Sequence, residues 1–306
     1  MNTGIPARVV LLLGAGLIAI GFSPILVRFA SEAPGIVVAV WRTGFSAILL
    51  APLVLVHERG VIRSLSLREV TLISVSGVIL GLHFVAWIES LYYTSVASAS
   101  VLVTTSPIFI AVLGFVFLRE RLTVRTVAAI LIAVSGAVLI SLSDAGEGSF
   151  PRATLGNVLA LTAALGFSVY LLIGRAVRQQ VSLLAYLFPL YSVAALTTLV
   201  IAIFQGVYLI PSLSVLGLCL LMALGPQLLG HGSINNAVKY IPAAVIGLAS
   251  LSEPVIASGL AFLFFDEVPS VVALVGMVMV LGAIGSVFLG RKRARSSFQQ
   301  GDPGMT

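Results

Sequence analysis

Long apolar stretches follow one another along the chain, separated by short clusters of charge, proline and glycine. An α-helix needs about 20 mainly apolar residues to cross the hydrocarbon core of a bilayer. Ten stretches qualify: 9–29, 35–56, 70–91, 97–118, 124–142, 155–176, 183–204, 213–236, 243–264 and 271–289. The punctuation between them includes Ala33-Pro34-Gly35, the segment from His57 to Glu69, Arg119-Glu120-Arg121, the segment from Ser143 to Pro151, and Asp266-Glu267. From Arg291 onward the chain turns polar and reads as a disordered tail.

The pattern also repeats. Residues 93–124 recur weakly at 240–271, a constant offset of 147, with eight identities in 32 positions. Tyr93, Ala97, Pro107, Leu113, Phe115, Phe117, Glu120 and Val124 match Tyr240, Ala244, Pro254, Leu260, Phe262, Phe264, Glu267 and Val271. Ten spans divide into five and five, and an odd number per half inverts the second half relative to the first. The predicted fold is an all-α membrane protein of ten transmembrane helices in two inverted five-helix repeats. Residues 1–142 form the first repeat, 143–154 an external linker, 155–290 the second repeat, and 291–306 a basic, polar cytoplasmic tail.

Charge tests the inversion. With both termini in the cytoplasm, fourteen Arg and Lys residues fall inside, Arg152 alone falls outside, and Arg28 and Arg42 lie within spans. That is a strong positive-inside bias. The repeat corners differ accordingly, since Glu120 is flanked by Arg119 and Arg121 and Glu267 by Asp266 and Val268.

Composition narrows the class. The chain is 59% hydrophobic and 9% charged, against about 25% charged in ordinary soluble domains, and its mean hydropathy is +1.16. The 306 residues therefore make one membrane domain with no room for a large soluble one. The net charge of +6 does not point to nucleic acid, because the basic residues are scattered through short loops. Cys219 is the only cysteine, which excludes an internal disulfide and a cysteine-based metal site. The first stretch is too long for a signal-peptide core and reads as a retained span. Gly77 with Gly81, and Ala129, Ala133 and Ala137, lie at spacing four and suit close helix packing.

At Tyr92-Tyr93-Thr94-Ser95-Val96-Ala97-Ser98-Ala99, Ser106-Pro107 and Arg119-Glu120-Arg121-Leu122, with Ser252-Glu253-Pro254-Val255 and Asp266-Glu267 in the second unit, the chain resembles the drug/metabolite transporter superfamily. The likeness is to its EamA-type ten-helix members. It implies a central cavity between the first four helices of each repeat, with the fifth and tenth packed peripherally at a homodimer contact. It also implies movement of amino acids, metabolites or toxic compounds.

Polar residues inside spans are costly and mark function by default. In span eight, Gln227, His231 and Asn235 fall at i, i+4 and i+8, one face of an α-helix, with Pro226 beginning the stripe. Either they line an aqueous substrate cavity or they bond neighbouring helices. In span three, His83, Trp87 and Ser90 share a face suited to an amphipathic or cationic ligand; Trp87 is otherwise an interfacial anchor. Glu89 is a mouth-lining carboxylate or a solvated helix end. Glu253, before Pro254, is a charge or proton-coupling site, or one half of an ion pair with Arg42 or Arg28. Arg42 can hold a substrate carboxylate or neutralise a carboxylate of the bundle. Glu120 and Glu267 read as structural corner groups, with Thr123 and Ser270 as N-caps for the helices that follow. His83 and His231 alone are thin evidence for a metal, and no metal or cofactor is expected.

The chain carries no Walker-type phosphate loop, no HExxH and no GxSxG. The expectation is a secondary transporter, an exporter of small organic solutes across the cytoplasmic (inner) membrane by alternating access, in contact with lipids. A non-transporting sensor or assembly subunit, and an intramembrane enzyme, are the alternatives.

Overall fold

The computed structural model describes residues 5–94, 99, 102, 103, 105–143, 152–265 and 268–300. Among these, every regular element is a helix. In chain order they are α1 (Ala7–Gly21), α2 (Ser23–Phe29), α3 (Gly35–His57), α4 (Arg59–Arg63), α5 (Leu67–Tyr93), α6 (Ser106–Leu118), α7 (Val124–Ser143), α8 (Ala153–Val177), α9 (Leu183–Phe204) and α10 (Leu213–Met222). A π-helical segment (Ala223–His231) follows, then α11 (Gly232–Ala237), α12 (Ala243–Ser250), α13 (Ser252–Phe265) and α14 (Val271–Gln300). Among the described residues, seven continuous or broken helices are long and apolar enough to cross a membrane: 7–29, 35–57, 67–93, 153–177, 183–204, 213–237 and 243–264. Three shorter apolar helices, Ser106–Leu118, Val124–Leu139 and Val271–Val287, accompany them. Exposed Leu11, Val56, Phe117 and Val278 cover the outside of the bundle with the apolar surface that lipid requires. The chain is a multi-pass membrane protein.

Three stretches expected as single helices are interrupted, each at a proline. The first breaks at Phe22, two residues before Pro24. The eighth widens into the π segment around Pro226. Proline lacks the N–H that the carbonyl four residues earlier needs, and the π turn begins at Ala223, just past that carbonyl on Met222. The ninth breaks at Leu251, two residues earlier than the position the Glu253-Pro254 pair suggests, so Glu253 lies in the first turn of α13. The last helix runs through to Gln300, so the first part of the tail expected from Arg291 is helical, and residues 301–306 lie outside the described residues. Asp266, Glu267, Ser95 to Ser98 and most of the expected external linker lie outside the described residues.

Thr123 and Ser270 accept the N–H groups of Thr126 and Ala273 at 3.2 and 3.1 Å, capping α7 and α14 as their positions predict. Ser66 and Glu69 form a reciprocal capping box at the start of α5.

The helices pair closely. α5 runs along α8, α1 along the π segment and α11, α3 along α9, and α7 along α14. Small residues permit the approach. A Cβ on Gly77 would lie 2.8 Å from the Leu190 oxygen of α9, and one on Gly136 of α7 would lie 2.6 Å from the Gly276 oxygen of α14. A Cβ on Gly16 would meet Ser233 Oγ at 1.8 Å and Leu229 O at 2.8 Å, whereas one on Gly14 meets nothing within 4 Å. Gly16→Ala is therefore expected to destabilise the protein by about 1–3 kcal/mol, while Gly14→Ala is neutral or slightly stabilising. Thermal unfolding of both variants in detergent checks this; equal shifts would count against the packing described.

Candidate functional site

A guanidinium sits inside the bundle. Arg42, in the N-terminal part of α3, is 2% exposed. Its Nε donates to Gln227 Oε1 of the π segment at 2.8 Å, and one terminal nitrogen donates to Ser23 Oγ at the start of α2 at 3.0 Å. Its central carbon lies 4.3 Å from the centroid of the Phe84 ring of α5, a cation–π contact worth about 2 kcal/mol when water is excluded. Three elements far apart in sequence thus converge on one cation. Two of the contacts come from residues beside a proline at a helix irregularity: Pro24 follows Ser23, and Pro226 precedes Gln227.

Beside Arg42 lies a cavity of about 80 Å³, measured as room for water-sized groups. Arg42, His83, Trp87, His231 and Glu253 all line it. Ser23 and Ser106 add hydroxyls, and Phe84 and Phe167 add aromatic walls. Trp87 is thereby buried against the cavity, with no anchoring role at a lipid interface. The aromatic rings form a continuous set. His83 and His231 lie 5.1 and 5.2 Å from Phe84, and 5.7 and 6.1 Å from Phe167, centroid to centroid. The two imidazoles are 6.5 Å apart. Among the described residues, no group of three or more His, Cys, Asp or Glu side chains is placed to hold a metal ion.

Three of the residues picked out from the sequence do not line this cavity. Gln227 is wholly buried behind Arg42, and Tyr191 of α9 donates to its backbone oxygen at 3.2 Å. Asn235 is wholly buried and bonds Tyr170 Oη and His231 O at 3.3 and 2.8 Å. The single-face reading assumed α-helical spacing, and the π segment intervenes between Gln227 and Asn235. Glu89 accepts the Ile36 N–H at 3.1 Å, so it caps the start of α3. The carboxylate is half-buried, with one oxygen committed to that bond. Ser90 turns back to the Trp87 carbonyl at 2.7 Å.

Other participants escaped the sequence reading. Phe84, Phe167, Tyr170 and Tyr191 look like ordinary core residues in an apolar span. The tyrosines did carry a signal, since a buried phenol needs a hydrogen-bond partner. Ser23-Pro24 repeats the Ser106-Pro107 pattern and could have been read the same way.

A second polar cluster lies at the far end of the bundle from Leu91 and Ala257. Arg175, near the end of α8, donates through Nε to Glu120 at 3.0 Å and through a terminal nitrogen to the Val238 carbonyl. Arg178 donates to the Asn235 carbonyl at 3.1 Å and to the Val181 carbonyl. Arg119 precedes Glu120 with φ of 53°, in the left-handed region that usually favours glycine.

Arg42 and Gln227 are expected to be energetically coupled. A double-mutant cycle of Arg42→Lys and Gln227→Leu, followed by thermal or denaturant unfolding, should return about 0.5–3 kcal/mol of interaction. Additive effects would show that the Nε–Oε1 bond contributes nothing to stability.

Comparison with known proteins adds a separate line of evidence. The EamA-like transporter family profile matches residues 7–142 and again residues 154–289. The chain is similar to YetK of Bacillus subtilis strain 168, an uncharacterized transporter, at 28% identity over 66% of this chain; the match spans 62% of that relative's length. It is similar to the pseudopaline exporter CntI of Pseudomonas aeruginosa strain UCBPP-PA14, at 26% identity over 84% of this chain and 88% of CntI. It is similar also to a probable terminal-alkyne amino-acid exporter of Streptantibioticus cattleyicolor, at 29% identity over 65% of this chain and 67% of that one. One solved crystal structure matches in fold with a TM-score of 0.80, at 18% identity over 95% of this chain and 99% of its own.

Proposed function

The chain belongs to the EamA-like transporter family, and from that premise we propose that it exports small organic solutes across the cytoplasmic membrane by alternating access. It is a transporter rather than an enzyme. The finer proposal has ten spans as two inverted repeats, with both termini in the cytoplasm. The charge bias supports this orientation, with fourteen basic residues on one side. The packing supports the repeat. Under the two-fold relation, the α5–α8 pairing corresponds to α1 against the π segment and α11, and α3–α9 and α7–α14 correspond to themselves.

One observation carries the functional reading: a guanidinium and a carboxylate, Arg42 and Glu253, share an aromatic-walled cavity inside the membrane domain. Charges in a bilayer are retained where they act on a pathway. The arrangement suits a zwitterionic or amphipathic solute, its anionic group meeting Arg42 and its amine meeting Glu253. The names of CntI and of the amino-acid exporter support export of such compounds. Among the described residues, Glu253 is the carboxylate that lines the cavity, and we take it as the proton carrier if transport is coupled.

In this orientation Leu91, Val103 and Ala257 lie toward the exterior, and the Glu120–Arg175–Val238 and Arg178 contacts close the cytoplasmic end. Rocking of the repeats would exchange the two arrangements.

The test is a comparison of metabolites released by cells with and without the protein, followed by vesicle transport of the compounds identified. Export predicts a released solute that crosses the vesicle membrane chemically unaltered; absence of any flux sinks the reading. Coupling predicts that accumulation collapses with the proton gradient and in Glu253→Gln. Gradient-independent accumulation excludes proton drive, and flux without accumulation indicates facilitated diffusion.

Loosening the cytoplasmic contacts should open that end. In a Cys219→Ser background, Val238→Cys is expected to react with an impermeant maleimide about fivefold faster once Glu120→Gln is added, the shift that about 1 kcal/mol produces. An unchanged rate would show that the ion pair does not hold the closed state.

A further inference from the structure

Each imidazole in the cavity has one nitrogen committed to the protein, and the two commitments are of opposite kind. His83 Nδ1 lies 2.8 Å from the Ala163 carbonyl oxygen. A carbonyl only accepts, so this nitrogen carries the proton, and in the neutral ring Nε2 remains an acceptor.

His231 Nδ1 lies 3.0 Å from the Tyr170 hydroxyl, and Asn235 decides which way that bond runs. Asn235 Nδ2 is 2.8 Å from the His231 carbonyl and 3.3 Å from Tyr170 Oη. Because the His231 carbonyl only accepts, the amide cannot be reversed, and its second proton points to the tyrosine oxygen. Among the described residues, the Tyr170 proton then has His231 Nδ1 as its acceptor. Any other assignment leaves a wholly buried phenolic O–H unpaired, at a substantial desolvation cost. His231 therefore accepts at Nδ1 and carries its proton on Nε2.

Both Nδ1 atoms are occupied, so the nitrogens left for a solute are a donor on His231 and an acceptor on His83. The Phe84 ring packs against both imidazoles, whose centroids stand 6.5 Å apart.

The geometry points to His231 Nε2–H and His83 Nε2 as a paired donor and acceptor that select a neutral polar group on the solute, with Tyr170 and Asn235 as the residues that position His231. The group recognised both accepts and donates hydrogen bonds, as a primary amide or a hydroxyl does. Arg42 and Glu253 read the charged groups, and the imidazole pair reads what lies between or beside them. This inference rests on the cavity being the solute site.

Nitrogen NMR of protein carrying ¹⁵N-imidazole histidine, in lipid nanodiscs, tests it without any transport assay. His83 should be protonated at Nδ1 and His231 at Nε2, with assignments from His83→Gln and His57→Gln. Tyr170→Phe should shift the His231 Nδ1 resonance and leave His83 in place. A His231 protonated at Nδ1, or unmoved by Tyr170→Phe, overturns the positioning role. If that variant fails to fold, the wild-type tautomers decide the matter.

Titration with acetamide, the probe for a primary amide, should shift both Nε2 resonances together; no shift at either ring overturns the selectivity. Opposite tautomers and an acetamide response in a protein without vesicle flux would defeat the transport reading while leaving the imidazole pair intact.

Discussion

Holding an arginine inside a membrane domain constrains everything around it. Insertion of a guanidinium at the centre of a membrane helix costs about 2.5–3.5 kcal/mol on translocon scales, and Arg42 is almost wholly buried. The cost is offset by Ser23, Gln227 and the Phe84 ring, each from a different part of the chain. Those three contacts tie α2, α3, α5 and the π segment to one point. They also leave part of the guanidinium facing the cavity beside Glu253. Removing Ser23 or Gln227 strands a guanidinium donor in the interior, where unpaired groups are expensive.

The prolines make that arrangement feasible. Irregular backbone in a bilayer is tolerated where protein or a cavity receives its free polar groups. The breaks near Pro24 and Pro254 and the π segment at Pro226 contribute Ser23, Pro24, Ser250, Leu251, Glu253, Pro254 and His231 to the cavity wall. The most regular packing is elsewhere, as where Gly136 of α7 lies against α14. Broken and continuous helices line the site together, the continuous α3, α5 and α8 contributing Arg42, His83, Phe84, Trp87 and Phe167.

Much of this was legible in the sequence because a bilayer is a severe solvent. Polar groups in apolar stretches had to face inward, which is why Arg42, His83, Trp87, His231 and Glu253 could be picked out and do share one cavity. The caps at Thr123 and Ser270 were legible because an N-cap is a local bond. Gln227 and Asn235 could not be separated from His231, since their shared face presumed a 3.6-residue turn that Pro226 denies. The bond from the Ile36 N–H to Glu89 was not legible because the two residues are 53 apart in sequence. Phe84 and Phe167 gave no distinguishing pattern, being ordinary choices for any buried face.

By itself, then, the sequence determined the solvent, the helical class and the identity of the costly residues, because hydrophobic length, charge placement and proline chemistry act locally along the chain. Only the tertiary structure decided how those residues divide their work: Arg42, His83, His231 and Glu253 at the cavity, Gln227 and Asn235 behind it, Glu89 at a helix end. Hydrogen bonds between distant helices set which atom of each side chain is occupied and which remains free. That allocation depends on packing in three dimensions, and no spacing along a single helix encodes it.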